Sequence, residues 1–410
     1  MSSKERRRWV VLHQVETDAV TLKEASERMG VSYRQAKRIW KRWREEGESG
    51  LIHRSRGGLS NRRSDPVLKR EALRLYQEHY RDFGPTLAGE KLEEKHGLRV
   101  NRETLRRWLL GACLWGGRTK ARRHRRRRPR REHFGELVQF DGSHHAWFED
   151  RAAPCCLMVM VDDATGRSAA RMASEETTEA AFRTLRRWIE RHGVPAALYT
   201  DRKNIYVSDR EPTVEEKRAG TGALTDFGRA CWRLGIEIIA ARSPQAKGRV
   251  ERRNGVLQDR LVKELRLRGI ADIDSANAML EEFTETLDAR LALAPAASAN
   301  HHRALPSHER LEEILCWETP RRVQNDWTVV YEGRRLQIER QEGLPPAGAR
   351  VVVRRRLDAS LAILWGEREL RFSDDNHPVS VLNRPVTRPP WGAGGGKPPD
   401  PSPHLSLIHI

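Results

Sequence analysis

Cysteine is scarce in this chain: five residues, Cys113, Cys155, Cys156, Cys231 and Cys316, with no Cys-x-x-Cys pair. An odd set without ligand spacing argues against a disulfide scaffold or a zinc ribbon, and the vicinal Cys155 and Cys156 read as inert filling of an apolar run. Long apolar stretches are missing too. The longest, Cys155–Val161, is seven residues, against the roughly 20 needed to span a bilayer. The opening MSSKERRRWV contains no apolar segment, which speaks against a secretory leader. A soluble, cytoplasmic protein of a reducing compartment, with no membrane partner, is the expectation.

Acidic charge is also in short supply, and only in one place. The 410 residues hold 76 Lys and Arg against 57 Asp and Glu, a net charge of +19. Residues 1–131 carry 36 basic and 16 acidic side chains, and the remainder is near neutral at 40 and 41. Such an excess calls for a polyanionic partner. The length suggests about two or three domains.

The basic third reads as helical. In TLKEASERM (21–29) Leu22, Ala25 and Met29 share one face; Gly30 breaks the pattern, and Ser32 can cap a second helix over Tyr33–Glu46. That helix keeps Ala36, Ile39, Trp40 and Trp43 inward, leaving Arg34, Lys37, Arg38, Lys41 and Arg42 for a phosphate backbone or a major groove. A similar pair, Pro85–His96 and Arg102–Leu110, turns at Gly97 with Asn101 as cap. A helical bundle with a solvated basic face would look alike; the basic second helix favours DNA binding for the first pair, less so for the second.

Arg118–Arg131 (RTKARRHRRRRPRR) has ten basic residues in fourteen, among them Arg125, Arg126, Arg127 and Arg128. It reads as an extended linker that follows a phosphate backbone and releases counterions. Neutralising this run is therefore expected to flatten the salt dependence of DNA affinity, and an unchanged slope in a salt titration would rule the idea out.

From Leu137 the period changes. LVQFDGSHHAWF (137–148), CCLMVMVDD (155–163) and Ser168–Ala173 read as a three-strand meander; AALYTD (196–201) and EIIAA (237–241) alternate with helices at Thr177–His192 and Asp226–Leu234, and Gln245–Arg268 closes the region as a long helix. This is a mixed α/β sheet. Arg202–Ala223 is polar and reads as an insertion or mobile loop. Short β-like runs at 327–331, 334–338, 350–355, 361–365 and 370–372 suggest a small β-barrel.

The expected fold is thus multidomain: a first helix-turn-helix unit (1–60), a second helix-turn-helix-like unit (61–117), a basic linker (118–132), an α/β core (133–290), a linker (291–322), a small β-barrel module (323–383) and a disordered tail (384–410). The closing LSLIHI back-translates into a sequencing-adapter end and is expected not to be native.

Three carboxylates stand out. Asp141 is expected at the end of the first core strand, Asp201 at the end of the fourth and Glu251 at the start of the long helix, with separations of 60 and 50 residues. Neighbouring strands would bring the two aspartates together. Val250, Leu257, Leu261 and Leu265 form the helix's apolar face, with Glu251 at its edge about 100° from Val250. Asn254 and Gln258 follow on the same side, and Lys247, Arg249, Arg252 and Arg253 surround it with phosphate-binding charge. Converging carboxylates need a hard cation, Mg²⁺ with Mn²⁺ as substitute, and two such ions about 3.5–4 Å apart can activate a water or a 3′-hydroxyl. Each Asp taken singly is more often a turn or cap residue, which is how Asp162 and Asp163 read. His144 and His145 read as exposed strand-end residues.

The stretches QFDGSHHAWF, LYTDRKNIY and SPQAKGRVERRNGVLQDRLVKELR resemble the DDE integrase core of bacterial insertion-sequence transposases, of the ISNCY type, and more distantly that of retroviral integrases. The resemblance implies an RNase H-like core with Asp141, Asp201 and Glu251 as its metal-binding triad. It also implies hydrolysis at transposon ends, attack of the freed 3′-hydroxyl on target DNA, terminal inverted repeats held by the N-terminal helices, and a homo-oligomeric synaptic complex on the nucleoid. Two departures are visible. Gln258 stands where many relatives carry Lys or Arg seven positions after the catalytic Glu, Arg260 and Lys263 being the substitutes at hand; and the 50-residue Asp-to-Glu spacing is long, as an insertion at 202–223 would make it. The competing readings are a catalytically inactive or domesticated DNA-binding regulator, and a structure-selective nuclease, which has no evident need for two helix-turn-helix units.

Overall fold

The computed structural model describes residues 1–53, 56, 65–117, 128–218, 220–241, 247–304 and 307–375. Arg125, Arg126 and Arg127, residues 243–246 of the SPQAKGRVERRNG block, and the tail with its LSLIHI end lie outside them. The chain divides into two compact units, residues 1–124 and 125–410.

In the first unit, α1 (Ser3–Glu16), α2 (Leu22–Met29) and α3 (Tyr33–Glu46) close over Leu12, Ala25, Ala36, Ile39 and Trp43. Each start has its own local device. Thr21 and Glu24 form a reciprocal capping box on α2, and the Ser32 side chain accepts the Gln35 N–H at 3.3 Å. Gly30 ends α2 at φ 64°, a left-handed turn open to glycine at no steric cost. Gly50 is needed for a different reason: a Cβ there would meet the Arg42 carbonyl on α3. As expected, Ala36, Ile39 and Trp43 are buried while Arg34, Lys37, Arg38 and Lys41 are exposed; Arg42 and Trp40 are half-buried.

A second set, α4 (Pro66–His79), α5 (Pro85–His96) and α6 (Arg102–Gly111), packs around Tyr76, Phe83, Leu92, Leu105 and Leu109. Asn101 caps α6 through the Glu103 N–H at 2.9 Å. On α6 the Glu103 carboxylate takes both Arg106 (2.7 Å) and Arg107 (3.2 Å), so that helix offers less free positive charge than its sequence suggests.

The second unit contains the expected RNase H-like mixed sheet. β1 (Val138–His145), β2 (Cys155–Asp162) and β3 (Ser168–Ala173) form an antiparallel meander, and β4 (Ala197–Thr200) and β5 (Glu237–Ala240) join in parallel, giving the order β3-β2-β1-β4-β5. β2 is buried at every position, as a central strand covered on both faces must be. One face carries α7 (Thr178–His192) and α9 (Asp226–Arg233), with Phe182, Trp188, Ile189 and Phe227 against Val138, Phe140 and Met158. The other carries α10 (Gly248–Leu267) and α11 (Ile273–Leu291), with Val250, Leu257 and Leu261 against Leu157, Val159 and Val161.

Two expectations about segments change. Residues 202–223 are not wholly a polar insertion: Tyr206 is buried in the core, and a short helix, α8 (Val214–Arg218), follows. Residues 291–322, expected as a linker, carry α12 (His308–Ile314) and β6 (Trp317–Arg322), and Leu311 and Leu315 pack into the α7 core. Six further strands follow: β7 (Thr328–Tyr331), β8 (Arg334–Ile338), β9 (Arg350–Arg355), β10 (Leu361–Trp365), β11 (Arg368–Leu370) and β12 (Phe372–Asp375). They make sheets of order β11-β10-β9-β6 and β12-β8-β7 around one core of Val329, Leu336, Val353 and Ile363, the chain crossing between sheets at Arg371. The small C-terminal β-module is thus two ladders sharing a core.

Candidate active site

The site is built along one face of β1. Side chains alternate on a strand, so Gln139, Asp141 and Ser143 point one way while Val138 and Phe140 point into the α7 core. α10 runs along the polar row and meets each member. Gln139 Oε1 accepts the N–H groups of Arg249 (3.2 Å) and Val250 (3.1 Å); Asn254 Nδ2 donates to Asp141 Oδ2 at 3.4 Å; Gln258 Nε2 donates to Ser143 Oγ at 3.3 Å.

These contacts explain how α10 is held. Its N-cap residue, Lys247, makes no side-chain cap hydrogen bond, so the first-turn N–H groups would be orphaned without Gln139. At the other end, Arg151 donates to the carbonyls of Leu265 (3.0 Å) and Ile270 (2.6 Å). Gln139 is itself oriented by Asp163, whose carboxylate accepts Gln139 Nε2 at 2.9 Å, the Arg131 N–H at 2.9 Å, Arg249 Nε at 3.4 Å and the Arg128 guanidinium. Asp163 is fully buried. Its expected turn role is too modest, because it is the anion on which the end of the basic run, β1 and α10 converge. Asp162 does hold the turn, accepting Thr165 N (2.6 Å), Thr165 Oγ1 (2.7 Å) and Gly135 N (3.0 Å).

Asp141 lies in the middle of β1, opposite Val159, and not at its end. Asp201 directly follows β4, as expected. The parallel register pairs Val138 with Leu198 and Gln139 with Tyr199; carried two residues further, it sets Asp141 beside Asp201. Lys247 Nζ joins them, 2.7 Å from Asp141 Oδ1 and 4.0 Å from Asp201 Oδ2. Glu251 occupies the first turn of α10 and is exposed. Among the described residues, Asp141, Asp201 and Glu251 do not form a set whose ligand oxygens all lie within 4.8 Å of one another. The ammonium of Lys247 lies beside both aspartates. Lys247, Glu251, Asn254 and Gln258 are spaced to lie on one helical stripe, and Lys247 and Asn254, on either side of Glu251, both touch Asp141.

Three members of the cluster have no clear signal in the sequence. Glu176, just before α7, lies over Gly142, where a Cβ would collide with its Oε2. Its carboxylate accepts Tyr206 Oη at 3.1 Å and pairs with Lys203, whose Nζ is 3.5 Å from Asp201 Oδ2. Burial opposes the charge of Lys203, yet Glu176, Asp201 and Asp141 hold its pKa above the ordinary lysine value. Burial, and then Glu176, push the Tyr206 hydroxyl well above the usual tyrosine range, so it stays a donor. The Cys156 thiol is pushed up to about 12, first by burial. His144 and His145 are exposed at the end of β1.

Several residues expected to face phosphate do structural work instead. Arg249 is drawn to Asp163 and to the Arg128 carbonyl (3.0 Å), Arg253 is buried against Gly166 and Asp288, and Lys263 is buried beside Asp259. Arg128 is tied to Asp163 with 42% of its side chain exposed. In each case a carboxylate brought close by packing captures the nearest cation. Arg252 is exposed, as expected, and Asn254 is buried.

With this geometry in place, the relatives become informative. The chain is 40% identical over 377 residues to a protein of Sinorhizobium fredii named as a transposase, y4bF, covering 91% of this chain and 81% of that one. The chain belongs to the transposases. The transposase is also 25% identical over 343 residues to the transposase for insertion sequence IS1202 of Streptococcus pneumoniae, covering 75% of this chain and 72% of that one. Residues 5–58 match a helix-turn-helix domain family. Among solved structures, the transposase is similar to the HTLV-2 integrase catalytic core domain in complex with magnesium (21% identity, TM-score 0.28, 38% of this chain and 87% of that one). It is similar also to the simian T-cell lymphotropic virus intasome in complex with PP2A regulatory subunit B56 gamma (17% identity, TM-score 0.32, 73% and 98%).

Proposed function

We propose that this transposase binds the terminal inverted repeats of its element and performs metal-dependent 3′-end cleavage and strand transfer into target DNA, with Asp141, Asp201 and Glu251 as its catalytic carboxylates. The observation that carries the reading is the β1–β4 register, which sets Asp141 beside Asp201 and leaves Glu251 on the α10 stripe whose neighbours touch Asp141. Glu251, exposed in the first turn of α10, is the third ligand in this reading. The donor chemistry fits a hard cation, Mg²⁺ or Mn²⁺, because the candidate ligands are oxygens. The Asn254 Oδ1, buried with no hydrogen-bond partner among the described residues, adds an oxygen acceptor at the same place.

Bound there, divalent ions would activate the attacking water or 3′-hydroxyl and stabilise the departing oxygen. The protein's own part is placement. Gln139 and Asp163 fix the start of α10, Arg151 fixes its end, and Glu176 with Tyr206 keeps Lys203 over Asp201. In strand transfer one phosphodiester bond forms as another breaks, so positioning and charge suffice.

Helix α3 and its exposed Arg34, Lys37, Arg38 and Lys41 are the inverted-repeat readers in this proposal, assisted by the basic run and by Arg252. Pairing of two ends calls for a homo-oligomer on DNA in the cytoplasm. The experiment joins pre-cleaved end DNA to a target duplex with Mg²⁺ or Mn²⁺ and measures specific binding in parallel. Joined product is the expected result. A protein that binds its ends specifically and never joins them would be the regulator instead.

A further inference from the structure

Two carboxylates side by side need a cation, and this chain supplies its own. The Lys247 ammonium is nearly buried, 7% exposed, and its ion partners are Asp141 and Asp201. Lys203 is differently placed, since Glu176 anchors it to one side and its charge does not depend on the aspartate pair alone.

An ammonium hydrogen-bonded to Asp141 Oδ1 uses a lone pair that a metal ion would also need, and both charges cannot share the space between the two aspartates. Resting on the carboxylate assignment above, we propose that Lys247 is a built-in counter-cation: it holds the Asp141–Asp201 pair together without a divalent ion and is expelled when the ion enters. Its place fits this exchange. Lys247 is the cap residue of α10, one turn before Glu251, so the two side chains leave the same stripe of the helix. Metal entry, ammonium exit and Glu251 closure are then one coupled event. Coupling between two ligands for the same groups appears as a change in affinity, typically between about 5- and 150-fold.

The test uses the full-length protein without DNA and Mn²⁺ alone as probe. Lys247→Met keeps the side-chain stem and removes the charge; by calorimetric titration it is expected to bind Mn²⁺ about tenfold more tightly than wild type, while its melting temperature in EDTA falls. An affinity equal to or weaker than wild type would overturn the proposal. A second measurement needs no variant. Acylation of lysines in the wild type, followed by mass spectrometry, is expected to modify Lys247 several-fold faster with Mn²⁺ than with EDTA, and an equal or slower rate would overturn the idea. Asp141→Asn separates the two levels of the argument. If it leaves Mn²⁺ affinity intact, the carboxylate assignment fails; if it abolishes binding while Lys247→Met changes nothing, only the displacement fails.

Discussion

Asp201→Asn is expected to reduce strand transfer by about 10³-fold, the rate equivalent of about 4 kcal/mol of lost transition-state stabilisation. The substitution is nearly isosteric, and the fold has little stake in the lost charge. Asp201 follows β4 and is partly exposed, and its contacts are with Lys203 and the more distant Lys247. The α3 reading helix belongs to a different compact unit, so specific binding measured by gel shift should be unchanged. Loss of joining with retained binding therefore isolates chemistry from recognition. Joining within tenfold of wild type would show that this carboxylate is not in the reacting set. Asp141→Asn should behave alike for chemistry and also take away the negative charge that the Lys247 ammonium pairs with at 2.7 Å. Glu251→Gln should spare stability altogether, since that carboxylate is exposed.

What could be read in the sequence was whatever is decided locally. Ser32 and Asn101 cap the helices expected to follow them, because a cap is settled by a few neighbouring residues. The meander and the two later strands follow from residue periodicity, and the aspartate pair from a spacing that the parallel register reproduces. The strand position of Asp141 was misread because alternation marks which face a residue takes, not where the strand ends. Glu176, Lys203 and Tyr206 come from two segments that meet only over Gly142, so no pattern within either segment announces them. α10 is a sharper case. Its start lacks a local cap, and the missing acceptor is Gln139, more than 100 residues earlier, which presents in sequence as an ordinary polar residue of an alternating strand.

That dependence leads to the second large effect. Asp163→Ala is expected to destabilise the second unit by about 3 kcal/mol, at the lower end of the range for removing one partner of a buried ion pair. The lower end applies because Arg128 can rehydrate, whereas Gln139 is fully buried and Arg249 mostly so. For a unit of this size the melting temperature should fall by roughly 5 °C. Asp163→Asn should cost less, since its one amide oxygen can still accept from Gln139 Nε2, while the Arg131 N–H, which bonds the other carboxylate oxygen, loses its acceptor. The pair of variants separates two consequences of one residue: with Asn the fold persists while the Arg128 and Arg249 charges lose their anion, and with Ala the orientation of Gln139 goes as well. If Gln139 is what aligns α10 with Asp141, strand transfer should follow that second loss, falling steeply in the alanine variant even below its melting temperature and only mildly in the asparagine one. An alanine variant that melts within about 2 °C of wild type would mean that the arginines and the glutamine find other partners, and that the long helix is seated by its apolar face alone.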